Sequence, residues 1–378
     1  MPPDSELCKR FRPELTVTRA WNYLNHAAIS PISRRVLSAM TGLLEDVCLN
    51  GADQYERWLS ATDTARRAAA SLINAEPDEI AFLKNTSEGI SAFALGLEWK
   101  KGDEVVSIEG EFPANYYAWK LLERRGVRVR FVEQPGGEIS LDSIERAINR
   151  RTKVVAVSFV QFLSGYRLDL VKLGRICADR KVLLFVDAIQ GLGAFPVDVK
   201  DARIAGLAAC GHKWLLGPEG CALFFARRDV LERLAPCTAG WMSVEGWEDF
   251  VPREITWRKD GGRFEGGAAN RAGIYGLHTA ISLILEAGPS RIASRVLDLT
   301  DRLRAGLLQR GFQIYGPKTR EHGSGIVSFL PLKGSAEDAR LLLNTHHIAV
   351  SARRGMIRIS PHFYNTEEEI DRALELLT

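Results

Sequence analysis

Lysine, carboxylate, hydroxyl and aromatic side chains stand at the ends of apolar runs in this sequence of 378 residues. The run "IAGLAAC" leads to Lys213, "VLLFV" to Asp187, "IAFL" to Thr86 and Ser87, and "VVSI" to Phe112. A lysine amine can bind an aldehyde covalently, and a carboxylate can hold a protonated ring nitrogen. Hydroxyls at the start of a helix bind phosphate, and a flat side chain stacks on a ring. Together these groups suit a phosphorylated aromatic aldehyde.

Each of these residues also has a structural interpretation. Thr86 or Ser87 could be the N-cap of a helix, and Asp187 could occupy a turn. Lys213 could be a solvated surface lysine, and Phe112 could belong to the core. Chemistry becomes the better interpretation if the fold brings all of them to one edge of one sheet.

The elements that position these residues alternate between strand and helix. From about residue 78 to 226, short apolar runs such as "KVVAVSFV" precede amphipathic stretches such as "DLVKLGRICADRK". The runs are continuously apolar, which indicates strands that are buried on both faces. This predicts an α/β fold with a mostly parallel sheet and helices on both sides. Ligands of such sheets lie beyond the carboxyl ends of the strands, where all of these residues meet. The combination matches pyridoxal 5′-phosphate.

Composition narrows the remaining classes of function. The chain is 46% apolar and 26% charged, with a net charge of +3, which is too mild to indicate nucleic acid or membrane binding. The six cysteines form no C-x-x-C pair, and the N-terminus lacks the apolar core of a signal peptide. We therefore expect a cytoplasmic protein. Nucleotide-binding glycine motifs do not occur, and His346 and His347 lack a third ligand at metal spacing, so no metal site is predicted.

Two motifs carry a family resemblance. "VDAIQGLGAFPVDV" and "GHKWLLGPEG" resemble the class V aminotransferases, a branch of the fold-type I pyridoxal phosphate enzymes that includes cysteine desulfurases, kynureninases and isopenicillin N epimerase-like proteins. The likeness runs from "YLNHAAISP" to "RISPHFYNTEEEIDRAL", nearly the whole chain. It implies a large domain with a mostly parallel sheet and a smaller C-terminal α+β domain. We expect an N-terminal arm at 1–20, the large domain at 21–262, and an interdomain helix with the small domain at 263–378.

The resemblance also implies roles for individual residues. Lys213 is then the Schiff-base lysine, Asp187 pairs with the pyridinium nitrogen, and Gln190 hydrogen-bonds the phenolic oxygen of the cofactor. Family members are homodimers with the active site at the interface, and the "FEGGAAN" loop reaches the phosphate bound by the partner subunit. The other cofactor contacts implied are Phe112 on the ring and Thr86, Ser87, His212, Gly267 and Ala268 around the phosphate.

Substrate binding is assigned to the C-terminal part of the chain. Arg358, in "MIRISP", matches the family arginine that binds the substrate carboxylate, and Arg353 is expected to assist it. A planar bidentate donor suits an α-carboxylate, although Arg358 could also be a surface arginine of a strand. His26 could relay protons or bind substrate, and it could equally be a satisfied structural histidine.

The sequence departs from the family at one point that bears on the reaction. Cysteine desulfurases carry a nucleophilic cysteine shortly before the carboxylate-binding arginine, whereas no cysteine follows Cys237 here. The leading hypothesis is therefore an enzyme that acts at the α-carbon of an amino acid by transamination, epimerisation or β-elimination. One alternative is a desulfurase-like or selenocysteine lyase-like C–S lyase that lacks its own persulfide cysteine. The second alternative is a non-catalytic regulatory protein that binds the cofactor.

Overall fold

The computed structural model describes residues 3–251 and 254–377. The helices are α1 Pro3–Phe11, α2 Arg34–Asn50, α3 Tyr55–Ile73, α4 Thr86–Gly96, α5 Ala114–Lys120, α6 Leu141–Ala147, α7 Leu170–Asp179, α8 Arg228–Leu231, α9 Arg271–Ala287, α10 Pro289–Gln309, α11 Ala336–Thr345 and α12 Glu367–Leu376. The strands are β1 Asn22–Tyr23, β2 Ile80–Leu83, β3 Glu104–Ile108, β4 Arg128–Val132, β5 Thr152–Ser158, β6 Leu183–Asp187, β7 Gly206–Cys210, β8 Ala222–Ala226, β9 Ile314–Tyr315, β10 Val327–Phe329, β11 Ile348–Ala349, β12 Ser351–Arg353 and β13 Met356–Ile359.

Seven strands of the described residues form the large sheet, in the order β2-β8-β7-β6-β5-β3-β4. The ladders from β7 to β4 are parallel, whereas β8 runs antiparallel to both of its neighbours. Every residue of β3, β7 and β8 is buried, because helices cover both faces of the sheet. The predicted mostly parallel α/β sheet is therefore confirmed.

A smaller antiparallel sheet follows in the C-terminal part of the chain, in the order β12-β13-β10-β9. Its apolar face packs with residues of α10, α11 and α12 in a separate core cluster. This is the predicted smaller α+β unit. None of the helices in the described ranges is long and apolar enough to cross a lipid bilayer.

The start of the chain contacts this C-terminal part. Strand β1 pairs in parallel with β11, and the Cys8 thiol donates a hydrogen bond of 3.0 Å to the carbonyl of Tyr364. Helix α1 also contributes Leu7 and Phe11 to the main core. The first residues of the chain thus join the two units, and the expected domain boundaries at 20 and 262 stay predictions.

Candidate active site

The carboxyl edge of the large sheet holds Lys213 and Asp187. Asp187 is the last residue of β6, and Lys213 follows the end of the neighbouring strand β7. Both are buried, with 1% of Asp187 and 7% of Lys213 exposed. Asp187 Oδ1 accepts a hydrogen bond of 3.1 Å from the Ile189 N–H. Among the described residues, Asp187 Oδ2 and Lys213 Nζ have no hydrogen-bond partner, so both are available to a ligand.

Burial shifts the pKa values of both Lys213 and Asp187. The pKa of Lys213 is lowered to about 8, mainly by burial; the charge of Asp187 opposes this shift, and the charges of Arg358 and Arg353 add to it. Burial raises the pKa of Asp187 to about 7; Glu111 adds to this shift, and the Ile189 N–H and Lys213 oppose it. A lysine of this kind is partly neutral near pH 8 and can attack a carbonyl, and strongly shifted groups of this kind mark functional sites.

Helix α4 begins beside the same edge, and its N-cap differs from the expectation. Asn85 is the N-cap, because its side chain accepts a hydrogen bond of 2.9 Å from the Glu88 N–H. The capping interpretation of Thr86 and Ser87 was therefore wrong. Thr86 Oγ1 instead accepts a hydrogen bond of 3.1 Å from the N–H of Cys210, which ends β7. The hydroxyl proton of Thr86 and the exposed Ser87 side chain are left for an anion at the positive end of the helix.

Aromatic rings stand next to the lysine. The ring of Phe112 lies 5.3 Å from Lys213 Nζ and remains 40% exposed. Phe162 packs edge-on against Phe112, with ring centroids 5.3 Å apart. Phe112 and Phe162 together form a flat, partly exposed aromatic wall. Phe112 is the residue that the sequence predicted to stack on the cofactor.

Gln190 and His212 also lie at this edge. Gln190 Nε2 donates to the Ala27 carbonyl at 3.0 Å, while its Oε1 accepts from the indole N–H of Trp214 at 2.9 Å. One N–H of the Gln190 amide is therefore left. His212 Nδ1 lies 3.0 Å from Cys210 Sγ, and burial lowers the pKa of His212, with Lys213 adding to the effect. The neutral His212 ring keeps its other nitrogen without a partner among the described residues.

Arg358 reaches the site from the small sheet. It lies on β13, is 2% exposed, and donates from Nη1 to the Phe162 carbonyl at 2.7 Å. Its Nε is 3.3 Å from Ser351 Oγ. Burial lowers the pKa of Arg358 to about 10, and Arg353 contributes to that shift. Arg353 itself is exposed and ends β12. Arg358 is therefore a buried cation held beside the aromatic wall, and a bound anion would stabilise its charge.

His26 lies in a closed environment. Its Nδ1 is 2.8 Å from the Ser360 carbonyl, and its Nε2 is 2.6 Å from the hydroxyl of Tyr364. The ring is fully buried and packs edge-on against His362. Burial holds the pKa of His26 well below its usual value, and His362 adds to this. Both ring nitrogens are engaged by protein atoms, so the substrate-binding hypothesis for His26 gives way to the structural one.

The "FEGGAAN" loop, with Gly267 and Ala268, lines a cavity of about 580 Å³ beside Lys84 and Gly220. Glu265 fixes this loop, because it accepts a bidentate pair of hydrogen bonds from Arg66 at 2.9 and 3.0 Å. Glu265 also accepts from the Phe82 N–H at 2.7 Å. Within one chain, the loop therefore lies against the end of β2 rather than against Lys213, and a role at the phosphate stays a prediction.

Sequence reasoning missed a second buried carboxylate at the sheet edge. Glu111 accepts hydrogen bonds from the Ser158 N–H at 2.7 Å, from Gln161 Nε2 at 2.9 Å, and from the Ser158 hydroxyl. Ser158 of β5 pairs in register with Asp187 of β6. Because Glu111 is hydrogen-bonded to Ser158, the two carboxylates lie on either side of the end of β5. The signal was present in "IEGEFPAN", where a glutamate immediately precedes Phe112 after a buried strand.

None of the cysteines in the described residues is hydrogen-bonded to Arg358. Cys210 Sγ contacts the Cys221 carbonyl at 3.3 Å below the start of α4, and burial raises the pKa of Cys210. Cys8, Cys177 and Cys221 are buried as well. Cysteine nucleophiles are thiolates, which burial disfavours.

The donor set fits pyridoxal phosphate. The orphan buried oxygen of Asp187 suits a pyridinium N–H, and the unpartnered amine of Lys213 suits an aldehyde. The hydroxyls of Thr86 and Ser87, which do not cap α4, suit the phosphate dianion. The remaining N–H of Gln190 suits a phenolic oxygen. We would therefore place the cofactor between these groups and the Phe112 ring.

Comparisons with known proteins agree on the family. A family model described as aminotransferase class-V matches residues 22–373. A probable cysteine desulfurase of Methanothermobacter thermautotrophicus is 33% identical over 97% of this chain and 96% of its own. An uncharacterized aminotransferase of Bacillus subtilis is 28% identical over 98% of this chain and 97% of its own. The apo structure of cysteine desulfurase from Thermococcus onnurineus superposes with a TM-score of 0.90 at 27% identity, covering 97% and 96% of the two chains.

Proposed function

The chain belongs to the class V aminotransferase family and is a pyridoxal phosphate-dependent enzyme that acts at the α-carbon of an amino acid, and on that premise we propose that Lys213 holds the cofactor and then carries the α-proton. The observation that carries the proposal is the buried pair at the sheet edge. Lys213 and Asp187 face a common space with an unpartnered amine and an unpartnered carboxylate oxygen.

When bound, pyridoxal phosphate supplies an electron-accepting ring that weakens the bonds at the substrate α-carbon. Asp187 would hold the proton on the ring nitrogen, because its unpartnered Oδ2, when ionised, can accept a hydrogen bond from a bound N–H, and a positive ring would in turn favour the ionised carboxylate. The lowered pKa of Lys213 would let its neutral Nζ amine accept the α-proton of a bound amino acid near neutral pH. Thr86, Ser87 and His212 would hold the phosphate, and Phe112 would stack on the ring.

Arg358 binds the α-carboxylate of the substrate. Its Nη2 has no partner among the described residues, while Nε and Nη1 are fixed by Ser351 and Phe162. The guanidinium is therefore held in one orientation before the substrate arrives, which favours a bidentate contact. Pairing with a carboxylate would also relieve the cost of burying this charge.

We also propose a homodimer in a reducing compartment such as the cytoplasm. Two exposed leucines on α2, Leu37 and Leu44, lie two turns apart on one face and form an apolar surface that a second copy would cover. The "FEGGAAN" loop is held against its own β2 and lines a cavity that does not include Lys213, which supports a contribution to the partner's site. The described cysteines are free thiols, as expected where disulfides do not persist.

The test is the visible absorption of the holoenzyme during titration with a panel of amino acids, without added keto acid. Stable loss of the cofactor band indicates half-transamination, whereas a band that changes and returns indicates a lyase or an epimerase. Lys213→Ala should abolish turnover. The control is Lys181→Ala, which should not, because Lys181 is exposed and lies before the amino end of β6. Turnover by Lys213→Ala would overturn the proposal.

A C–S lyase that uses an external thiol is the second candidate. It is favoured by the relative at 33% identity, which is described as a probable cysteine desulfurase. The chain itself has no cysteine after Cys237, so the sulfur acceptor would have to come from solution. Incubation with cysteine and a reductant, with sulfide and alanine measured together, separates this candidate from a transaminase. Equimolar sulfide and alanine would support it, and their absence would exclude it.

A further inference from the structure

The hairpin formed by β12 and β13 presents two arginines on one face. Ser351 pairs with Arg358 and Arg353 pairs with Met356 in the antiparallel register. Directly paired residues share a face, and so do residues two apart along a strand. Arg353 therefore lies on the same face as Arg358, as its diagonal neighbour. Two like charges are held together here, which is unfavourable unless an anion joins them.

A third arginine occupies the turn of this hairpin. Arg354 has a φ of 48° and is followed by Gly355 with a φ of 78°. Two left-handed residues in succession make a tight turn in which asparagine or glycine is the usual first residue. An arginine at this position costs backbone strain that a glycine would avoid. A glycine at this position would remove the strain, but it would also remove the positive charge that Arg354 supplies.

Neither arginine of the hairpin end is neutralised by a carboxylate of the described residues. Arg353 donates to the carbonyl of Ala352 at 2.9 Å, and no salt bridge reaches it. The charge of Arg353 helps to lower the pKa of Glu337, but Glu337 forms its salt bridge with Arg340, at 2.6 Å. The contact found for Arg354 is its guanidinium carbon 5.7 Å from the ring centroid of Phe162.

These charges adjoin the reacting centre. Phe162, on which Arg354 lies, accepts a hydrogen bond from Arg358 through its carbonyl and packs against Phe112. Phe112 in turn lies 5.3 Å from Lys213 Nζ. The charge of Arg353 also lowers the pKa of both Lys213 and Arg358, so it acts on the same space. The α-carboxylate of a substrate would neutralise Arg358 alone, leaving Arg353 and Arg354.

We infer that Arg353 and Arg354 form a subsite for a second anionic group, so that the preferred substrate is an amino acid whose side chain ends in a carboxylate or a similar oxyanion. The inference rests on the proposed function and adds the class of substrate to it. The two arginines determine specificity through the side chain of the substrate, while Arg358 holds its α-carboxylate.

The experiment compares size-matched pairs on the holoenzyme: L-aspartate with L-asparagine, and L-glutamate with L-glutamine. Wild-type kcat/KM should be at least about tenfold higher for the acidic member, the effect of one charged contact worth roughly 1.4 kcal/mol. Arg353→Gln and Arg354→Gln should each reduce the ratio of acidic to amide kcat/KM severalfold; the ratio is the readout, because Arg353 also acts on Lys213 and Arg358 and its loss changes the rate with every substrate. Arg150→Gln is the control, because Arg150 is exposed and distant from the hairpin.

Binding of an unreactive probe provides a second readout. Calorimetry on the holoenzyme should show tighter binding of succinate than of its monoamide, succinamate, and Arg353→Gln should remove the difference. Equal reaction of acidic and neutral amino acids, or a preference that survives both substitutions, would overturn the inference and leave the proposed function standing. Failure of every amino acid to change the cofactor spectrum would overturn the proposed function, whatever succinate does.

Discussion

Gly89 of helix α4 rests directly on Ala208 of strand β7: a β-carbon built on Gly89 would lie 2.8 Å from the Ala208 Cβ and 3.3 Å from the Phe224 ring. This close approach sets the distance between the helix that presents Thr86 and the strand that leads to Lys213. The absence of a side chain at Gly89 thus sets the depth of the site at the start of α4, where we propose that the phosphate binds.

Gly89→Ala should destabilise the protein by about 1–3 kcal/mol, because the added methyl has no space. It should also weaken cofactor binding, since the start of α4 must move away from β7. Gly42→Ala is the matched control in helix α2, where a β-carbon meets nothing within 4 Å. That change should stabilise by about 0.5–1 kcal/mol. Urea unfolding of both apoenzymes measures the difference, and equal effects would contradict the packing argument.

Covalent attachment of the cofactor to Lys213 should depend on pH with a midpoint near 8. The neutral amine is the reactive form, so the rate should rise as pH approaches the lowered pKa of Lys213 and level off above it. Removing a positive neighbour by Arg353→Gln should raise this pKa and move the midpoint upward. Stopped-flow absorbance of apoenzyme mixed with pyridoxal phosphate records the rate. A rate that still climbs at pH 10 would show an ordinary lysine.

Glu111→Gln should reduce kcat about tenfold and leave the fold and cofactor content intact. The negative charge of Glu111 raises the pKa of Asp187 and would favour a proton on a nearby ring nitrogen in the same way; a tenfold effect on a rate corresponds to about 1.4 kcal/mol. Without it, Asp187 should hold the ring proton less firmly. The ¹⁵N NMR signal of the cofactor ring nitrogen should then move toward the unprotonated range. Glu104→Gln is the control, because Glu104 is a buried carboxylate at the other end of β3; an equal effect there would dismiss a specific role for Glu111.

Glu265→Ala should cost about 3–5 kcal/mol, because it leaves the buried guanidinium of Arg66 without its partner. The double variant Arg66→Met/Glu265→Leu should recover much of that loss, since no buried charge remains. Denaturant midpoints of the two single variants and the double variant provide the coupling energy. If the double variant is as unstable as the sum of the single ones, the pair is not what fixes the loop.

The sheet and its functional edge could be predicted from the sequence because both depend on local pattern. Continuous apolar runs mark strands buried on two faces, and the residue after each run lies at the carboxyl edge. The N-cap of α4 was misassigned because Asn85, Thr86 and Ser87 are all good caps, and geometry alone decides among them.

Long-range partners were beyond reach for a different reason. Arg66 and Glu265 are 199 positions apart, and His26 meets Tyr364 across 338 positions. No periodicity connects such pairs, because they depend on how the two units pack. His26 was ambiguous in the sequence for that reason, and its two buried hydrogen bonds support the structural interpretation.

The pairing of β1 with β11, together with the Cys8–Tyr364 and His26–Ser360 contacts, has a consequence for synthesis. Strand β1 cannot pair until β11 has been made more than 300 residues later, so folding of this chain depends on contacts of high sequence separation. The strands of the large sheet can form earlier, but Arg358 reaches the aromatic wall only once β13 is available. The substrate end of the site is therefore expected to be among the last parts of the protein to form.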